Sequence, residues 1–132
     1  MRTPARLTAT ALAGLSLLAT IACGNDPLAP FQPEIANIAD NFQFQATGLT
    51  GVTWSQEYVW ENSDATANID HSSAITAGTT LLTIRDHNGT QVYSAPLGPS
   101  GSVTSSAGVA GNNWRIRVQL TNVSGTLNFR VQ

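Results

Sequence analysis

The residues able to do chemistry in this sequence are few and scattered. Two histidines, His71 and His87, stand 16 positions apart, each next to turn-forming residues. No serine occupies a Gly-x-Ser-x-Gly elbow, the sharp strand-to-helix turn that exposes a nucleophile. A hydrolytic triad would need one of the two imidazoles, and nothing in the spacing gives either a partner. Glu57, Glu61, Asp64, Asp70 and Asp86 would offer hard oxygen ligands to calcium. They are not spaced as a dense Asp-x-Asp-x-Asp loop, and they read as solvated surface carboxylates. The expectation is therefore a protein without catalysis, metal or cofactor. The candidate ligand-binding residues are Trp54, Tyr58 and Trp60. Facing outward they would form a flat aromatic strip for sugar rings, and facing inward they would belong to the core. Their alternation with Ser55, Glu57, Val59 and Glu61 favours the core, but Gln56 in the middle of the strip fits poorly with full burial. Arg115, Arg117 and Arg130 read as an outward basic ladder, set against neighbouring acids or an anionic glycan.

The lone cysteine, Cys23, has its own context. Arg2 and Arg6 precede an uncharged apolar run over residues 12–22, and Gly24, Asn25 and Asp26 follow the cysteine. Positive, apolar, small, then polar is the order of a secretory signal. The run falls short of the roughly 20 apolar residues a membrane span needs. Thr20-Ile21-Ala22-Cys23 resembles the lipobox of bacterial lipoproteins, with threonine where leucine is usual. The resemblance implies cleavage before Cys23 and a diacylglycerol thioether on its sulfur, hence a palmitate-type membrane anchor. A plain secretory cut near Ala22 is the alternative. A single cysteine has no internal disulfide partner. One acyl chain alone binds membranes marginally, and two or three make a lasting anchor. Gly24 after the cysteine favours the outer membrane or cell surface of the envelope.

The 109 residues beyond Cys23 suffice for one small domain. From Cys23 onward there are four arginines, no lysine and eight acids, a net charge of −4. That balance gives no reason to bind nucleic acid and argues against adhesion to anionic lipid by charge. Pro27, Pro30 and Pro33 favour an extended spacer. The expected organisation is a signal peptide over residues 1–22, a lipidated cysteine and flexible tether over 23–40, and a β-domain over 41–132. Residues 34–40 would make one or two helical turns, a short first strand, or a disordered linker.

From Asn41 the hydrophobic period is two. Phe42 and Phe44 begin one strand, and residues 48–51 read as a turn. Val52, Trp54, Tyr58 and Trp60 form the next. Leu82 and Ile84, then Val92 and Tyr93, flank Asn88-Gly89, a hairpin signal whose two residues tolerate positive φ. Residues 102–110 read as a poor edge strand. Trp114, Ile116, Val118 and Leu120 point inward, residues 122–125 turn the chain, and Leu127, Phe129 and Val131 return. Seven or eight strands with turns every eight to twelve residues predict an all-β protein, a single antiparallel β-sandwich.

Three stretches carry a further likeness: Gly78-Thr79-Thr80-Leu81-Leu82, then Asp86-His87-Asn88-Gly89-Thr90, then Gly111-Asn112-Asn113-Trp114-Arg115-Ile116-Arg117-Val118. Their rhythm resembles the bacterial pre-peptidase C-terminal type of jelly-roll domain. The resemblance implies an accessory module on exported proteins, sometimes binding polysaccharide or calcium, with no catalysis. The functional expectation is a membrane-anchored, exported lipoprotein whose sandwich is a binding or structural module, with carbohydrate as a candidate ligand. The alternative is an envelope assembly component that binds a partner protein through an edge strand such as 102–110.

Overall fold

The computed structural model describes residues 26–132. A single 3-10 turn, Ala29–Phe31, precedes seven strands: β1 Glu34–Ile38, β2 Asn41–Asn62, β3 Asn68–His71, β4 Ala74–Arg85, β5 Gln91–Ala95, β6 Gly101–Thr104 and β7 Gly111–Val131. Every pairing is antiparallel. The fold is an all-β antiparallel sandwich.

Its frame is one pair of long strands. β2 and β7 run 22 and 21 residues and stay paired from Phe42↔Val131 to Asn62↔Gly111. The turns expected at 48–51 and 122–125 are instead bulges inside continuous strands. The two signals lie opposite each other, with Leu49 paired to Gly125 and Val52 to Val123. Each bulge leaves an extra residue unpaired and bends its strand. Gly48 (φ 67°) and Gly51 (φ 58°) supply this on β2, and Asn122 (φ 51°) on β7. Because both strands bend at the same place, the ladder survives and the sheet folds over on itself.

Each side of the bend builds half of the sandwich. The N-terminal part of β2 and the C-terminal part of β7 form a five-stranded half in the order β1-β2-β7-β3-β6. Beyond the bend, β4 joins β7 and β5 joins β4, giving a four-stranded half. Phe42, Phe44, Leu82, Ile84, Val92, Trp114, Ile116, Val118, Leu120, Leu127, Phe129 and Val131 are all buried, as the alternation predicts. Leu28, Leu49, Ile69, Leu97 and Val123 join them. Trp60 and Trp114 meet edge to face, 6.0 Å apart at 88°. Each indole N–H is satisfied, by Ile38 O at 3.0 Å and Val109 O at 2.8 Å, as a buried tryptophan requires.

Three connections differ from the sequence reading. The stretch expected as a flexible tether packs on the sandwich, and of the readings open for residues 34–40 the short first strand is the one formed. Leu28 is buried, the 3-10 turn packs on β2, and β1 is hydrogen-bonded along β2. The exposed apolar edge of the core supplies the reason, since Leu28 and Phe31 help to cover it. At Asn88-Gly89 only Gly89 takes positive φ (83°). The turn is organised by Asp86, whose buried carboxylate accepts N–H groups from Asn88, Thr90 and Val109 at 3.0, 2.8 and 2.9 Å. Finally, of the edge strand expected over 102–110 only residues 102–104 lie in a strand, as part of β6. The next residues cross between halves, with Ser105, Ser106 and Gly108 N–H donating to Ala67, Val92 and Ala65 carbonyls.

Candidate functional site

The aromatic strip is divided by depth. Trp60 lies inside the core at 1% exposure, which removes it as a ligand surface. Trp54 and Tyr58 are half-buried on the inner side of β2, 5.9 Å from the ring of Phe44 and 5.2 Å from that of Phe42. Gln56 between them is exposed, and its amide donates to Glu57 O at 3.2 Å. β2 is the outer strand of the four-stranded half, so its inward residues reach the open side of the sandwich. Tyr58 is pushed up to about 12, chiefly by burial and then by the nearby Asp26 carboxylate.

The candidate acids and arginines separate in the same way. Glu57 Oε1 lies 3.1 Å from Arg115 Nη1, and Asp70 Oδ2 lies 3.1 Å from Arg130 Nη2. Arg115 and Arg117 stand on one half and Arg130 on the other, because the bend in β7 lies between them. They do not form one ladder. Asp86, expected on the surface, is 2% exposed. Burial alone would raise its carboxyl, but the N–H donors of Thr90, Val109 and Asn88 outweigh it and hold the group below the usual carboxylate range. Among the described residues, no three His, Cys, Asp or Glu side chains gather as a metal-ligand group. Cys23 and the apolar run before it lie outside the described residues.

A groove of about 590 Å³ lies on the outer face of the five-stranded half. Its floor is a row set by register. Gln43 of β2 pairs with Arg130 of β7, Arg130 with Asp70 of β3, and Asp70 with Ser102 of β6. Asn128, two residues before Arg130, and His71 extend it. Gln43, Asp70, Asn128 and Arg130 point outward because Phe42, Phe44, Ile69, Phe129 and Val131 alternate with them and point in, whereas His71 stands opposite Phe129 and reaches the groove from its end. The Ser102 hydroxyl, then the Arg130 guanidinium, hold the Asp70 carboxyl below its usual range, so it is ionised at neutral pH.

One wall of the groove is a pinned loop. Leu97 is buried, its N–H donates to Thr80 Oγ1 at 2.8 Å, and that hydroxyl donates to Leu97 O at 3.2 Å. Gly98 O accepts Ser73 N–H at 3.0 Å and faces His71 Nδ1 at 3.3 Å. A side chain on Gly101 would sit 3.0 Å from His71 Cε1, so glycine keeps the ring against the wall. The result is a rigid trough of amide, hydroxyl, carboxylate and guanidinium groups whose opposite charges are already paired. It suits a neutral ligand with many hydroxyls, which offers donors and acceptors together. The sequence points to Asp70 only as a loose calcium ligand and to Arg130 only as part of a basic ladder, and it does not point to Gln43, Ser102 or Asn128 as binding residues. The outward alternation of Gln43, Asn128 and Arg130 was readable, but their adjacency to Asp70 and Ser102 depends on strand order. No protein-family model matches the chain, and no curated protein matches it.

Proposed function

We propose that this chain is an exported, lipid-anchored protein of the cell envelope, whose sandwich is a non-catalytic module that binds saccharide in the groove over β2, β7, β3 and β6. The observation that carries the ligand class is the row Gln43, Arg130, Asp70 and Ser102, four polar side chains on four adjacent strands beside a pinned loop. Asp, Asn, Gln and Arg each offer paired polar atoms that match neighbouring sugar hydroxyls. The order of residues around Cys23 supports export and anchoring, with outer-membrane or surface placement. The alternation of strands and turns supports kinship with the pre-peptidase C-terminal type of module.

The test is a titration with neutral envelope and plant polysaccharides, followed by amide NMR and tryptophan emission together. The expected result is saturable shifts at Gln43, Asp70, Ser102 and Asn128. Gln43→Ala and Asn128→Ala should each weaken binding by about fivefold to tenfold, the value of roughly one net hydrogen bond. Shifts confined to Trp54 and Tyr58 would transfer the ligand to the aromatic strip. Absence of binding to every saccharide would remove this reading and favour a partner protein. The edge strand β6 gives such a partner little room, since it offers four residues and the following segment is already hydrogen-bonded.

A further inference from the structure

The net negative charge of the chain conceals an uneven distribution. Of the four arginines among the described residues, Arg85, Arg115 and Arg117 share the outer face of the four-stranded half. In the β4–β7 register Arg85 stands directly opposite Arg115, and Arg117 stands opposite Thr83. Like charges directly opposite on a sheet are destabilising. The acids of this face are Glu57 and, further along β2, Glu61. Glu57 stands opposite Arg117 in the β2–β7 register but makes its ion pair with the neighbouring Arg115. Among the described residues neither Arg85 nor Arg117 has a carboxylate at salt-bridge distance. Arg85 Nη1 donates only to Gly89 O, at 3.2 Å.

We infer that this face docks on an anionic lipid bilayer, with Arg85, Arg115 and Arg117 toward the headgroup phosphates and the exposed aliphatic side chains of Val59 and Ile38 at its margin. Val59 lies opposite Arg115 in the β2–β7 register, completing the row Val59, Arg115, Arg85. It is 50% exposed, and Ile38 is 62% exposed. Asn37 Nδ2 donates to Val59 O at 2.9 Å, and Trp60 Nε1 to Ile38 O, so the hydrogen bonds tie β1 to this edge of β2. Arginine stems can lie along apolar surface while their guanidinium groups reach phosphate. The aliphatic margin and the absence of an exposed aromatic in the arginine rows favour lipid over an acidic polysaccharide. Charge on the far half is screened over a Debye length of about 8 Å, so a face-on approach meets the arginines first.

The point where the chain enters the sandwich agrees with this. The 3-10 turn packs on β2, and Cys23 precedes Asp26 by three residues, a reach of at most about 11 Å. An anchor there would hold the β2 edge near the bilayer and add to the arginine contacts. This step, unlike the charge argument, rests on the lipid-anchor reading.

The experiment uses the full chain bound to vesicles of phosphatidylcholine alone, or with phosphatidylglycerol added. Arginines are labelled with phenylglyoxal and read residue by residue by mass spectrometry. The expected result is protection of Arg85 and Arg117 on the anionic vesicles relative to neutral ones, lost at high salt, with Arg130 labelled equally on both. Arg85→Gln and Arg117→Gln should each lower the preference for anionic vesicles by about fivefold. Equal labelling on both vesicles overturns the inference. So does protection by dextran sulfate with none by anionic vesicles, which would assign the face to a polyanionic glycan. Retention on neutral vesicles and the mass of Cys23 from envelope-derived protein report the anchor separately.

Discussion

The ring of Phe42 lies 5.2 Å from that of Tyr58, 16 residues later on the same strand. A straight strand would put them roughly 50 Å apart. Phe44 and Trp54 repeat the relationship at 5.9 Å. β2 therefore packs against itself, and everything that lies between the two halves depends on the bend at residues 46–52.

The bend can be tested at two glycines. Gly125 has φ 123°, and a Cβ there would collide with the carbonyl oxygen of Ala74. Gly125→Ala should cost about 2–4 kcal/mol, from backbone strain together with overpacking. Gly48 also has positive φ but opens to free space. Gly48→Ala should cost only about 1 kcal/mol, the ordinary penalty of a left-handed non-glycine residue. Urea denaturation of the two variants measures the difference, and equal losses would contradict this account of the corner.

The tryptophans should separate by depth. Trp60→Ala removes a buried indole and leaves a cavity, an expected loss of about 3–5 kcal/mol. Trp54→Ala should cost clearly less, because its ring is only half-buried. In the wild-type chain, acrylamide should quench Trp54 while leaving a blue-shifted emission from Trp60 and Trp114. Complete quenching by acrylamide would place all three at the surface.

Acid should loosen the fold through three carboxylates. Asp86, Asp70 and Asp40 all titrate below their usual value in the folded chain. The unfolded chain then holds more protons than the folded one near the ordinary aspartate range, so stability rises with pH there. The contribution is complete above about pH 4 and is lost as pH falls through the lower folded values. Melting temperature against pH should decline below about 4. Asp86→Asn should flatten that decline, since its carboxylate alone receives three backbone N–H groups in a buried turn.

Alkali should act in the opposite sense. Tyr58 ionises at about 12 in the folded chain, and Tyr93 is also raised by burial. Stability from these phenols is intact below about pH 10, their unfolded value, and is lost as pH rises through the folded one. Ultraviolet difference titration should show phenolate formation near 12 accompanied by unfolding. Ionisation near 10 without unfolding would mean that Tyr58 is solvated. Asp26→Asn should lower the Tyr58 midpoint by removing the neighbouring charge.

The ion pair in the groove should matter little to stability. Arg130 and Asp70 are both partly exposed, at 47% and 38%. Arg130→Gln should change stability by no more than about 1 kcal/mol, while altering saccharide binding. A large loss of stability with intact binding would make the row structural.

Alternation alone determined which side chains of the long strands face the core. A period of two puts Trp114, Ile116 and Val118 on one face whatever the strand pairs with. The same local chemistry made the strand interiors apolar and placed flexible residues at 48–51 and 122–125. Whether those residues turn the chain or bend it was decided by their partners. Opposed across a ladder, Leu49 to Gly125 and Val52 to Val123, they became bulges, and two expected hairpins became one continuous pair. Asp86 read as a surface acid because the N–H group of Val109, 23 residues away, is brought to it only by folding. The candidate groove has the same origin. Gln43, Asp70, Ser102 and Arg130 are far apart along the chain, and only the order β2-β7-β3-β6 sets them in one row. Side-chain facing follows from local backbone geometry, whereas adjacency across strands follows from long-range pairing, which no local pattern encodes.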